Sequence, residues 1–277
     1  MPAVFVVLWS TGFIGAKYGL PYAPPLKFLL WRFLFVIVLM TLVALATRAT
    51  WPRGAKIAHV AMAGVLLQGG YLGGVFLSLS LGMTAGLAAL IVGLQPILTA
   101  AAGPFMGERV TSRQWLGLLF GFAGVALVVW DKVGVVGVGW GAVAFAMVAL
   151  LSITGGTVYQ KRYCGAQDLR TQSVVQFIAA GLVLLPFSLA FETRPVVWVA
   201  PLVFAILWLS IGLSLGAITL LLILIRRGAA TTVTSLMYLV PPMTALIAWW
   251  LFGEKLAAPG LAGMAVAVVG VWLVVRK

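Results

Sequence analysis

Ten apolar stretches, each long enough to cross a bilayer as a helix, follow one another with little polar chain between them. At about 1.5 Å rise per residue, roughly 20 residues match a hydrocarbon core about 30 Å thick. The spans are expected at residues 2–20, 25–46, 57–81, 84–106, 113–131, 138–160, 171–190, 196–225, 229–252 and 258–275. A membrane β-strand needs only about 9–11 residues, so runs of this length point to helices rather than a barrel. The expected fold class is therefore all-α and integral to the membrane, with ten transmembrane helices. Composition agrees: 8% of residues are charged, against roughly 25% in a soluble domain. The longest polar interval runs from Lys161 to Thr171, so no soluble domain is expected. No charged leader with a cleavage site precedes the spans, and no removed signal peptide is expected. The single cysteine, Cys164, has no partner for an internal disulfide and reads as a bystander.

The chain also repeats itself. Gly107-Glu108-Arg109 recurs as Gly253-Glu254-Lys255, 146 residues later. The same offset joins Gly82 to Gly228, Pro96 to Pro242, Gly117 to Gly263 and Gly124 to Gly270. Earlier residues align at an offset of 144, joining Gly12 to Gly156, Lys17 to Lys161, Arg32 to Gln176 and Phe33 to Phe177. Two units of five spans follow, residues 1–132 and 133–277. An odd number of crossings makes the second unit enter from the opposite side. The units are thus expected to be inverted repeats, related by an axis in the membrane plane.

The net charge of +13 is an orientation signal rather than a nucleic-acid footprint. With ten spans and a cytoplasmic N-terminus, one side carries Arg48, Arg53, Lys56, Arg109, Arg113, Lys161, Arg162, Arg170, Arg226, Arg227, Arg276 and Lys277. The other side carries Lys27, Lys132, Arg194 and Lys255. Twelve against four is the positive-inside bias, and it places both termini in the cytoplasm, facing anionic lipid. A multi-pass protein of the cell (inner or plasma) membrane is expected.

A proline-bearing helix, then Gly-Glu-Arg or Gly-Glu-Lys, then a helix with spaced glycines resembles the EamA-type repeat of the drug/metabolite transporter (DMT) superfamily. The resemblance covers essentially the whole chain as two five-helix units. The span count and the stretch Leu8-Trp9-Ser10-Thr11-Gly12-Phe13 most resemble the ten-helix aromatic amino-acid exporters of the YddG type. What the resemblance implies is an exporter of amino acids and related small metabolites that works by alternating access. Members of the superfamily also handle drugs, nucleotide-sugars and phosphorylated sugars.

Residue chemistry suggests where a substrate would sit. Pro96 in the fourth span and Pro241-Pro242 in the ninth hold equivalent positions. A mid-helix proline opens the hydrogen-bond ladder, and matched broken helices point to a transporter site. These three are hinge candidates; a packing kink without a ligand role is the plainer reading. Polar and aromatic residues at helical spacing supply the cavity candidates: Trp9, Ser10 and Lys17; Gln68 and Tyr71; Gln95; Ser152 and Tyr159; Ser214; Ser235 and Tyr238. Each Ser could instead bond its own helix backbone, and each aromatic could simply pack. The two glutamines are stronger candidates, because an amide is harder to satisfy within one helix. Lys17 reads equally as a carboxylate partner or gate charge and as a snorkelling cation. Arg32, in the second span, reads rather as snorkelling or bonding to helix-end carbonyls. Glu108 and Glu254 read as helix caps before the fifth and tenth spans. Those two helices carry glycines but few polar residues, which suits a structural or dimer face, and monomer and homodimer both stay open.

The aromatic walls and uncharged polar groups fit a zwitterion with a medium or large apolar side chain, such as Phe, Trp or Met. An intramembrane enzyme would need paired carboxylates, Ser with His, or a zinc cluster; the chain has one histidine, His59, and no acidic residue at mid-membrane. A Ser10/Lys17 dyad is allowed by spacing alone. No catalytic residue, metal or cofactor is expected. The partners expected are a neutral amino acid and the lipid bilayer. An importer, or a carrier of drugs or other metabolites, is the alternative within the same superfamily.

Overall fold

The computed structural model describes residues 2–83, 88, 91–103, 107, 109–130, 139–165, 167–227, 235–240, 242, 243, 246, 247 and 258–275. Helix is the regular structure of these residues, with helical segments within each of the ten expected spans; much of the fourth and ninth spans lies outside the described residues. The segments are α1 (Pro2–Gly19), α2 (Pro25–Ala46), α3 (Ala55–Ser80), α4 (Gln95–Ala101), α5 (Ser112–Trp130), α6 (Trp140–Tyr163) and α7 (Leu169–Phe191). The eighth, α8, comprises Ala200–Trp208, Leu209–Ala217 and Ile218–Arg227; α9 contains the 3₁₀ turn Leu236–Leu239; α10 is Ala258–Val275. Proline opens α2 at Pro25, where the missing N–H costs nothing, and Gly82 ends α3 with φ 90, a left-handed conformation cheap only for glycine.

The helices present leucine outward. Leu42 is 60% exposed, Leu182 67% and Leu189 73%. So broad an apolar belt suits lipid and not water. Among the described residues α2, α3, α6 and α7 are each at least 22 residues long and apolar enough to cross a membrane. The core between them holds Phe5, Phe28, Phe33, Leu67, Phe177 and Leu202.

Helix contacts respect the repeat. α1 packs on α8 and α6 on α3; α4 packs on α6 and α9 on α1; α2 packs on α7 and α5 on α10. Exchanging each helix for its counterpart five places along turns the first pair into the second, the third into the fourth, and leaves the last two unchanged. Helix direction is also visible. A Cβ built on Gly117 would lie 2.7 Å from the Gly270 carbonyl oxygen, and one on Gly124 would lie 2.6 Å from the Gly263 carbonyl oxygen. Early α5 therefore meets late α10, and late α5 meets early α10. Two equivalent helices that run antiparallel belong to inverted halves. The glycine faces of α5 and α10 are taken up against each other within the chain.

The same exchange sets the centre of the molecule. Gly12 of α1 closes on Leu213 of α8, with 3.0 Å from a built Cβ to the leucine side chain. Its counterpart Gly156 of α6 closes on Leu67 of α3, at 2.7 Å. Leu67 and Leu213 stand at the 146-residue offset.

Candidate substrate cavity between the two halves

The third and eighth helices are irregular where they reach the centre. Val65–Gly70 of α3 and Leu209–Ala217 of α8 are π-helical, at equivalent positions of the repeat. A π segment inserts a residue into the i→i−4 ladder and turns the side chains that follow, and such segments gather at functional sites. Nothing in the sequence reading marks these segments apart from runs of Gly and Leu. Pro96 stands differently from expectation. Pro96 lies in the first turn of α4, which starts at Gln95 after a turn at Gly93 and Leu94. Proline is tolerated there, so the interruption precedes Pro96 rather than arising over it. The counterpart Pro242 is buried and follows the 3₁₀ turn Leu236–Leu239, while Pro241 lies outside the described residues.

A cavity of about 40 Å³ lies beside the π segments, lined by Trp9 of α1, Arg32 of α2, Gln68 and Tyr71 of α3, Ile153 of α6 and Leu213 of α8 among others. Trp9 and Tyr71 stack with ring centroids 6.3 Å apart and planes at 12°. Gln68 is 2% exposed, and its side-chain oxygen has no hydrogen-bond partner among the described residues. The volume holds water but no amino acid; ligand pockets run from roughly 300 Å³. The site is closed here.

Three expected cavity residues, Trp9, Gln68 and Tyr71, thus come together. Of the others, those whose side chains are described stand elsewhere in this closed arrangement. Ser10 donates to the Val6 carbonyl at 2.7 Å and reaches the Val240 carbonyl at 3.3 Å, so it returns its hydroxyl to its own helix and ties α1 to α9. Gln95 donates from Nε2 to Thr157 Oγ1 at 3.2 Å, tying α4 to α6. Ser152 abuts Gly70, where a built Cβ would meet its Oγ at 2.3 Å. Tyr159 bonds His59 Nδ1 at 2.7 Å and packs on Tyr163, at one end of α3 and α6. Tyr238 is fully buried against Gly121 of α5, and Ser235 is buried in α9. The side chains of Lys17 and Ser214 lie outside the described residues, as do Glu108 and Glu254.

Arg32 departs from the snorkelling alternative. It does not snorkel: it is 1% exposed and lines the cavity. The signal was its helical phase, since Phe28, Leu29, Phe33 and Val36 on the same face are all buried. Sequence reasoning weighed its nearness to the helix end, whereas Arg32 lies only ~5 Å along the axis from the middle of α2.

The two faces of the bundle close differently. At the face where α1 ends and α2 begins, Glu192 accepts from the Leu26 N–H at 2.7 Å, the Lys27 N–H at 2.8 Å and Ser188 Oγ at 2.9 Å. A carboxylate from the end of α7 thereby caps the positive end of α2. Lys27 Nζ donates to the Arg194 carbonyl at 2.8 Å, and the Val197 N–H to the Tyr22 carbonyl at 2.9 Å. These bonds join the two halves over a recess of about 740 Å³ bounded by Leu20, Pro24, Leu79 and Glu192. At the opposite face, His59 of α3 stacks on Tyr163 of α6 with ring centroids 4.9 Å apart.

Two inverted helical halves around a closed central cavity, in an apolar bundle, are the architecture of a membrane transporter. The chain belongs to the EamA-like transporter family, whose model matches it twice, over residues 3–130 and 140–276. It is 26% identical to the uncharacterized transporter YvbV of Bacillus subtilis (strain 168), covering 99% of this chain and 90% of that one. It is 26% identical to the uncharacterized inner membrane transporter YedA of Escherichia coli (strain K12), covering 97% and 87%. A probable amino-acid metabolite efflux pump of Salmonella typhimurium is 25% identical, covering 97% and 91%. A solved crystal structure shares the fold with TM-score 0.80 and 21% identity, covering 98% of this chain and 94% of that one.

Proposed function

We propose that the protein exports neutral amino acids with aromatic or large apolar side chains, such as Phe, Trp and Met, together with related small metabolites. It does so by alternating access, with the central cavity as the substrate site. The observation that carries this reading is the stacked pair Trp9 and Tyr71 walling a buried cavity between inverted halves. Stacked aromatics with polar tips suit an apolar side chain attached to a polar head. The name of the Salmonella relative, a probable amino-acid metabolite efflux pump, points the same way. With both termini cytoplasmic in the inner or plasma membrane, the Glu192 bonds close the outer face and the His59–Tyr159 contact lies at the inner mouth.

Uptake of a radiolabelled amino-acid panel into proteoliposomes, with and without a pH gradient, tests the reading. Saturable flux of Phe, Trp or Met supports it, and dependence on the gradient identifies proton coupling. Flux of a phosphorylated sugar or a drug cation with none of any neutral amino acid overturns it.

A further inference from the structure

Resting on the amino-acid reading above, we infer that Arg32 takes the substrate's carboxylate and the side-chain carbonyl of Gln68 takes its ammonium. The substrate class is then a zwitterion with both charged groups at one end of an apolar body.

Both residues line the same cavity, and each is almost wholly buried, Arg32 at 1% and Gln68 at 2% exposure. A guanidinium presents five donors in a planar fork, which matches a carboxylate through two parallel bonds and can keep a neighbour on its other edge. Gln68 Oε1 is an acceptor with no partner among the described residues. A buried acceptor of that kind calls for a donor, and an ammonium brings three. The cavity therefore holds a built donor group and a built acceptor, which are the complements of the two ends of a zwitterion.

The repeat sharpens the argument, because the site departs from it. The counterpart of Arg32 is Gln176, an uncharged amide that donates from Nε2 to Gln160 Oε1 at 2.9 Å. The counterpart of Trp9 is Ile153, and that of Tyr71 is Ala217. The first half thus supplies the charged, amide and aromatic groups. The second half supplies an aliphatic wall of Ile153, Leu213 and Leu221. The first half also lines the cavity with Leu67, Leu72, Val75 and Phe76, so apolar surface comes from both halves and the charged and amide groups from one. A lone cationic amine would be repelled by Arg32, and a sugar phosphate would place hydroxyls against the aliphatic wall.

Counterflow of radiolabelled L-phenylalanine in proteoliposomes reads the two contacts separately. The unlabelled competitors are 3-phenylpropionate, which has only the carboxylate, and phenethylamine, which has only the ammonium. The ratio of their inhibition constants in one preparation does not depend on how much protein folded. Arg32→Gln is expected to weaken 3-phenylpropionate about tenfold relative to phenethylamine, and Gln68→Leu to move the ratio about as far in the other direction. Arg32→Lys, which keeps the charge without the fork, should fall between wild type and Arg32→Gln. If Arg32→Gln does not fold, Arg32→Lys and Gln68→Leu carry the test. Phenylalanine flux with unchanged ratios in the folded variants overturns this inference and leaves the exporter reading standing. No flux of any neutral amino acid through the folded wild type overturns both.

Discussion

Phe33 and Phe177 hold equivalent positions in the two halves and pack directly on each other, with ring centroids 5.2 Å apart and planes at 60°. Residues related by an approximate two-fold axis can touch only if the axis passes between them. The contact therefore marks where the axis crosses the α2–α7 pair. Replacing either ring by alanine should lower stability by about 3 kcal/mol, and the double mutant should show a coupling of about 0.5–1.5 kcal/mol. Unfolding of the single and double variants in mixed micelles measures this, and strictly additive losses would deny the contact.

Glycines at the α5–α10 seam are a second test. A side chain at Gly124 would meet the Ala267 backbone nitrogen at 2.4 Å, and backbone cannot step aside. Gly124→Val should cost about 3 kcal/mol or prevent folding, through overpacking at a fixed surface. Gly155, exposed on α6 with nothing within 4 Å of a built Cβ, is the control, and Gly155→Ala should be neutral or slightly stabilising. Monodispersity in detergent and midpoint of thermal unfolding read the difference.

Much of this arrangement was legible from the chain. Apolar length located the ten spans, and the 144- and 146-residue offsets located the inverted halves. The site was legible only in part. Trp9, Gln68 and Tyr71 reach the cavity, but Ser10, Gln95 and Tyr159 are turned to neighbouring helices by hydrogen bonds that spacing does not reveal. The π segments were hidden because a π insertion leaves no mark in apolar periodicity, and they rotate Gln68 and the residues after it. The burial of Arg32 was missed because depth along a helix was weighed before helical phase.

Glu192 should prove the strongest polar tie on its face. Glu192→Ala removes a carboxylate that accepts from Leu26, Lys27 and Ser188, and should cost about 1–2 kcal/mol, as the loss of a helix cap does. Lys27→Ala, which loses one exposed bond to the Arg194 carbonyl, should cost well under half of that. Thermal unfolding of both variants in one detergent checks the order, and an equal loss for the two would mean that Glu192 does not hold the halves together.

Orientation follows from charge. Twelve basic residues on one side against four on the other predict that both termini are cytoplasmic. Reporter fusions active only in the cytoplasm should work at either end. Termini reporting from opposite sides would be incompatible with ten crossings, and both reporting from outside would contradict the charge bias.

The central claim is that the cavity beside Trp9, Gln68 and Tyr71 holds the substrate and opens to each side of the membrane in turn. Its most direct measurement is the labelling of Ile153→Cys, another lining residue of this cavity, in a Cys164→Ser background, by a membrane-impermeant thiol reagent applied from either side with and without L-phenylalanine. The account predicts labelling from both sides, slowed by saturating L-phenylalanine, with labelling from outside accelerated by Glu192→Ala. Labelling that ignores phenylalanine, or an inert Cys at this position while cysteines on the α5 and α10 faces react, would contradict it.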